Sequence, residues 1–415
     1  MLKPVPIDSP IHDKKRRSSS RPRDKASQSP ELSIVLGGPV YQFYLRFGLA
    51  APPLQFLRRR IVALSLACWI PLLLLSVAAG TAIGGVTVPF LKDAEVQIRF
   101  LITLPLLLVG ELFVHQRLIP VVQQFLDRKI VWEEDRQRFD EIISSTIRLR
   151  DSAVLEALLL LLILASSGWF WKERFVFTTS SWYALGSGGE THLTPAGIVY
   201  AYVSLPIFRF VVFRWYLRIL LWYQFLWRVS KIPLHLNLFH PDRAGGLSFL
   251  QGGVLAFLPV LLAHSTLLAG FVTDRIWYSG ANLLEFKMQI AGTLSLLVIL
   301  VLAPLAFFAP HLEKGRRTAF REYGILASRY VNKFRSKWIQ HAAGEESLLL
   351  LGTPDIQSLA DLGNAFNVIN TIRIAPIDKA LVLRLAVWLI LPILPLTLTM
   401  VPLSRIIDWF LKLAI

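Results

Sequence analysis

The run Ile61–Ile83, IVALSLACWIPLLLLSVAAGTAI, contains no Asp, Glu, Lys or Arg. About 20 apolar residues in helical form cross the ~30 Å hydrocarbon layer of a bilayer, so this run reads as a membrane span. Arg58, Arg59 and Arg60 stand directly before it as a basic stop. Outward from it, six further runs read the same way: 98–119, 152–171, 197–228, 254–273, 288–310 and 380–403. Pro392, Pro395 and Pro402 predict a kink in the last, because neighbouring helices can satisfy the backbone groups a proline frees. The expected fold is therefore all-α: a polytopic integral membrane bundle of about seven transmembrane helices, with amphipathic interfacial helices and a small helical cytoplasmic segment.

Composition agrees. Of 415 residues, 54% are hydrophobic and only 17% charged, and the mean hydropathy is +0.52. A soluble chain of this size cannot hide so much apolar side chain, which excludes an ordinary cytosolic enzyme. The single cysteine, Cys68, excludes an intrachain disulfide and a cysteine-based metal site. The 12 Trp and 26 Phe suit interfacial anchoring. A net charge of +16 would suggest nucleic acid in a soluble chain; here it fits Lys- and Arg-rich cytoplasmic loops, and no nucleic-acid partner is expected.

The organisation predicted is a disordered basic cytoplasmic tail at 1–33, an interfacial segment at 34–60 broken by Gly37, Gly38, Pro39, Pro52 and Pro53, and six spans within 61–312. A cytoplasmic helical segment at 313–379 and a last span with a C-terminal amphipathic helix at 380–415 complete it. The basic segments 1–60 and 313–379 place the N-terminus in the cytoplasm of a bacterial-type inner membrane. Seven spans put the C-terminus outside, whereas a re-entrant last helix returns it inside. The charged stretch 120–151 reads as a helical continuation of the second span, with Glu134 and Arg138 paired four apart. Thr353-Pro354-Asp355 reads as the cap of an amphipathic helix.

Ionisable residues at membrane depth cost about 3 kcal/mol or more unless paired or hydrated. Glu111 and His115 share one face of the second span. The fourth carries Arg209, Arg214 and Arg218, and the fifth carries His264. The functional reading pairs Glu111 with Arg209 or Arg214 around a polar path, since guanidinium forks match phosphate and carboxylate. The bland reading lets long arginines snorkel to the interface, and it is preferred for Arg218 and Arg384. His115 and His264 read more readily as hydrogen-bonded structural groups than as ligands, so neither a metal nor a cofactor is expected. The five- and four-residue spacing of the arginines does not fit a voltage sensor.

A polar turn follows the fourth span. Pro233 and Pro241 forbid a continuous helix there, and His240, Asp242, Arg243, Gly245 and Gly246 cluster in it. These residues could gate a pore or hold a headgroup; the bland reading makes Asp242 a helix cap and Arg243 a positive-inside charge. The run His240–Gly246, together with Asp355–Leu362, resembles a family of multi-pass bacterial membrane proteins with no assigned activity. The resemblance covers about the C-terminal half, and it implies a location and no chemistry. Gly186-Ser187-Gly188-Gly189-Glu190 reads as a flexible tip, and no Walker A, Rossmann, zincin or nucleophile-elbow pattern occurs.

The leading expectation is a transporter or channel for a small solute or ion. The alternatives are a membrane-embedded enzyme acting on a lipid or lipid-linked anion, with His240 and Asp242 near the headgroup plane, and a scaffold that docks a cytoplasmic partner on 313–379. Expected partners are membrane lipids, with anionic headgroups at the basic cytoplasmic segments; a homo-oligomer is left open.

Overall fold

The computed structural model describes residues 31–49, 51, 55–174, 180–187, 190–340 and 354–400, with backbone alone at 167–174, 186–187 and 190–191. Residues 1–30 of the expected tail, the tip at Gly188-Gly189, Thr353 and the expected C-terminal helix lie outside these.

Among the described residues every regular element but one hairpin is helical. Helix α1 is Pro39–Arg46 and α2 is Leu57–Ala78. Helix α3 runs Ala94–Asp127 through a π-helical stretch at Arg99–Thr103. Helices α4, Arg136–Arg150, and α5, Ala153–Arg174, lead to the antiparallel strands β1, Ala184–Ser187, and β2, Glu190–Leu193. Helix α6 is Pro195–Val229, again with a π-helical stretch, at Tyr200–Ser204. Helices α7, Leu247–Ala256, and α8, Leu258–Ser279, are bent by 43°. Helix α9 runs Leu283–Gln340, α10 is Pro354–Asn370 and α11 is Lys379–Ile390, which bends by 54° into a 3-10 stretch at Leu394–Met400.

By length and apolarity α2, α3, α6 and α9 can each cross a membrane, and the two bent pairs bring the number to six among the described residues. The protein is thus a membrane-embedded helical bundle. The third expected span coincides with α5, whose described apolar stretch Ala153–Ser166 is shorter than a full crossing. Lipid-facing positions are exposed side chains of apolar type, such as Leu158, Leu161 and Leu162 on α5 and Leu220 on α6.

Several boundaries differ from the sequence reading. The charged stretch does not prolong the second span: α3 stops at Asp127, and Lys129 takes a left-handed φ of 53° before α4 begins. The ion pairs there are Arg136–Glu133 at 3.2 Å and Arg138–Asp135 at 3.3 Å, because α4 starts only at Arg136 and Glu134 lies in the preceding 3-10 turn. The sixth span does not end at Pro310. Pro304 and Pro310 flank a 3-10 stretch, Ala303–Phe308; the Leu300 carbonyl freed by Pro304 accepts from the Tyr223 hydroxyl and the Ala306 carbonyl freed by Pro310 accepts the Ala309 N–H, so α9 continues for 58 residues. Helix α10 packs back along its far half, with Phe320 on Phe366 at 5.0 Å. Asp355 accepts hydrogen bonds from Trp338 (3.0 Å) and Lys337 (2.8 Å).

The segment before α1 departs furthest from expectation. Leu32, Ile34 and Val35 are almost wholly buried, and Tyr41 and Tyr44 of α1 join the same core. Residues 31–46 form a strap lying in the bundle, where a disordered tail to residue 33 and a purely interfacial helix were expected. Gly37 and Gly38 make the fit, with φ of +143° and +83°. A Cβ on Gly37 would sit 2.2 Å from an Asp151 oxygen, and one on Gly38 would sit 3.0 Å from an oxygen of Glu156.

Candidate functional site

Helices α3 and α6 cross tightly where Gly110 meets Trp215: a Cβ on Gly110 would lie 3.0 Å from the indole. The Trp215 Nε1–H donates to the Leu107 carbonyl at 3.0 Å and fixes the crossing. This close approach brings Glu111 of α3 against Arg214 and Arg218 of α6. Glu111 Oε1 accepts from Arg218 Nη2 at 2.8 Å and lies 3.5 Å from Arg214 Nη1; its Oε2 is 2.7 Å from Arg60 Nη2. Arg214 also donates from Nε to Glu156 Oε1 at 3.2 Å. The second oxygen of Glu156 accepts the backbone N–H of Val40 in the strap at 2.9 Å.

All five side chains are at most 11% exposed. Three guanidiniums against two carboxylates leave one net positive charge among buried side chains. Arg218 also stacks over Trp215 at 4.7 Å, and Arg60 lies 5.2 Å from the centre of the Tyr44 ring. The approach of Arg60 to Glu111 is an ion pair too bent for a hydrogen bond, and Arg60 Nε and Nη1 are buried with no hydrogen-bond partner among the described residues. Arg60 is in the first turn of α2 and Glu156 in the first turn of α5. The cluster is therefore level with the ends of those helices, while α3 continues 16 residues past Glu111, about 24 Å at 1.5 Å per residue.

A cavity of about 230 Å³ adjoins the cluster. Its polar wall is Arg150, Glu156, Arg214, Arg218 and Gln224; its apolar wall is Leu149, Leu155, Leu217, Leu220 and Leu221; the strap closes it with Ile34, Val35 and Gly37. Arg150 is held by Asp151 through two hydrogen bonds of 2.8 and 2.6 Å and donates to the Ser33 carbonyl of the strap.

The expected members fall as follows. Glu111 and Arg214 meet. Arg209 does not join them: five residues before Arg214, it points elsewhere on α6, and its electrostatic neighbours are Tyr200 and Arg99. Arg218 does not snorkel; it is buried on Glu111, because its face of α6 is the face turned to α3. Arg384 is exposed. His115 does not reach Glu111, and its Nδ1 is 3.0 Å from Ser33 Oγ in the strap. His264 is spent between the Val260 carbonyl (2.7 Å) and the Tyr216 hydroxyl (2.8 Å). Among the described residues no group of three His, Cys, Asp or Glu is placed to hold a metal.

The polar turn has a structural explanation. Asp242 accepts the backbone N–H groups of Ala244, Gly246 and Ser248 at 2.9, 3.1 and 3.1 Å, and His240 Nδ1 lies 3.0 Å from it. Burial raises the carboxyl pKa, but the backbone donors outweigh it and hold Asp242 below the ordinary carboxylate range. Arg243 adopts a φ of 54°, and its carbonyl accepts Arg373 N–H at 2.8 Å, which ties the turn to the chain after α10.

Sequence reasoning missed Arg60 and Glu156, and also a lock at the opposite end of α3. There Asp93 accepts from Val96 N–H and Trp182 Nε1–H, both at 2.9 Å, and Asp274 of α8 accepts the N–H groups of Ala94 and Glu95 at 2.9 Å each. An Asp directly before Ala94-Glu95 is a cap signal that could have located it.

No family model, no curated protein and no solved structure matches the chain.

Proposed function

We propose that the protein is a transporter or channel of a bacterial inner membrane that takes an anion at the Glu111–Arg60–Arg214–Arg218–Glu156 cluster. The observation that carries this reading is the surplus guanidinium in a buried cluster with a cavity alongside. An isolated buried charge is costly, and an entering anion neutralises it. The strap, fastened through Val40, Ser33 and Tyr44, covers the site from the basic, cytoplasmic side. The resemblance of His240–Gly246 to multi-pass bacterial membrane proteins supports the location.

The enzyme alternative finds less support, because the Asp242 carboxylate is already taken up by backbone N–H groups. The test is phosphate efflux from reconstituted vesicles. Arg214→Gln, which removes the surplus charge, should abolish efflux while the protein still elutes as a folded species; efflux at the parent rate refutes the site.

A further inference from the structure

We propose that the cavity between α5 and α6 admits the phosphate headgroup of an anionic lipid from the side. This rests on the anion reading above and names the chemical class of its ligand. Three observations converge. The first is charge: Arg214 and Arg218 line the cavity, and the cluster behind them is one positive charge in excess. A monoanionic phosphodiester balances that excess, and the guanidinium fork fits its oxygens.

The second is depth. Arg60, paired with Glu111, occupies the first turn of α2, a spanning helix of 22 residues. At 1.5 Å per residue such a helix is about 33 Å long, close to the hydrocarbon thickness, so its first turn lies at the headgroup level. The third is the way in. Leu220, 60% exposed on the lipid-facing side of α6, belongs to the cavity wall, as do Leu217 and Leu155. A ligand that enters past Leu220 trails an acyl chain over a surface already apolar. The volume of about 230 Å³ is far too small for a whole lipid, so only a headgroup can enter.

The headgroup displaces no structural contact of the strap, since Arg150 remains on Asp151 and Val40 on Glu156. Glycerophosphoglycerol carries the same monoanionic phosphodiester without the tails, so the two sources separate by affinity.

The experiment is native mass spectrometry of the full chain in detergent, titrated with short-chain phosphatidylglycerol, short-chain phosphatidylcholine and glycerophosphoglycerol. Phosphatidylglycerol should be retained at one site per chain, at least about tenfold more tightly than either of the other two. Arg214→Gln should weaken it by about tenfold or more. Leu220→Trp, which narrows the entrance and leaves every charge in place, should remove the advantage over glycerophosphoglycerol. Equal affinity for phosphatidylglycerol and glycerophosphoglycerol overturns the lipid proposal while leaving an anion site in place. Binding of neither overturns both. Arg214→Gln that melts as the parent does and keeps phosphatidylglycerol fully bound also overturns the proposal.

Discussion

Glu111 and Asp242 are both carboxylates in polar motifs, and they are satisfied in opposite ways. Asp242 is held by backbone N–H groups of its own turn, two to six residues away in sequence. Glu111 is held by side chains from two other helices, Arg60 of α2 and Arg214 and Arg218 of α6. A carboxylate spent on the local backbone shapes the chain and offers nothing to a ligand. A carboxylate held by guanidiniums beside a cavity leaves donors that can turn to a new anion. The difference separates a structural motif from a candidate site although both look equally charged in sequence.

The comparison is broken most severely at Glu111. Glu111→Leu strands the buried guanidiniums of Arg60 and Arg218, while Arg214 keeps Glu156, and should cost about 3–5 kcal/mol in unfolding measurements in detergent. A loss below ~1 kcal/mol would mean that the cluster is solvated. Next, Asp242→Ala orphans three backbone donors and should cost about 1–3 kcal/mol while leaving phosphate efflux unchanged.

Asp242 has a depressed folded pKa, so its contribution is complete above the unfolded value of ~4 and is lost as pH falls through the lower folded value. The stability gap between the parent and Asp242→Asn should accordingly persist at neutral pH and close only in acid. A gap that closes near neutrality would contradict the backbone assignment.

Gly38→Ala should cost about 1–3 kcal/mol, because φ +83° with ψ 164° is a region essentially confined to glycine, and should loosen the strap, read as faster proteolysis before α1. Smallest is Tyr216→Phe, which removes one hydrogen bond to His264, worth about 0.5–1.5 kcal/mol, and should leave efflux at the parent rate.

How far these regions are legible in sequence depends on what sets each one. The membrane class follows from uncharged runs, because the bilayer imposes length and apolarity on every span. The meeting of Glu111 with Arg214 was legible because a buried charge must find a partner. Its other partners were harder to find. Arg58, Arg59 and Arg60 look alike as a basic stop, yet only Arg60 is buried. The signal was there in the small side chains Ser65, Cys68 and Ser76, which continue the same buried stripe at helical spacing.

Arg218 was misplaced because snorkelling depends on which face a helix turns to its neighbour, and that is a tertiary fact. Glu156 gave no sign, since its partners lie in the strap and in α6, far away in sequence. The strap itself was hidden by its glycines, which read as breakers and serve as a close-packing turn against Arg150, Asp151 and Glu156.

The most direct test of the anion site is the melting temperature of three proteins in rising phosphate: the parent, Arg214→Gln and Asp242→Asn. A ligand that binds only the folded state stabilises it by about 2.7 kcal/mol at a concentration 100 times its Kd. The parent and Asp242→Asn should rise in parallel while Arg214→Gln stays level. Three parallel curves, or three flat ones, would contradict the anion site.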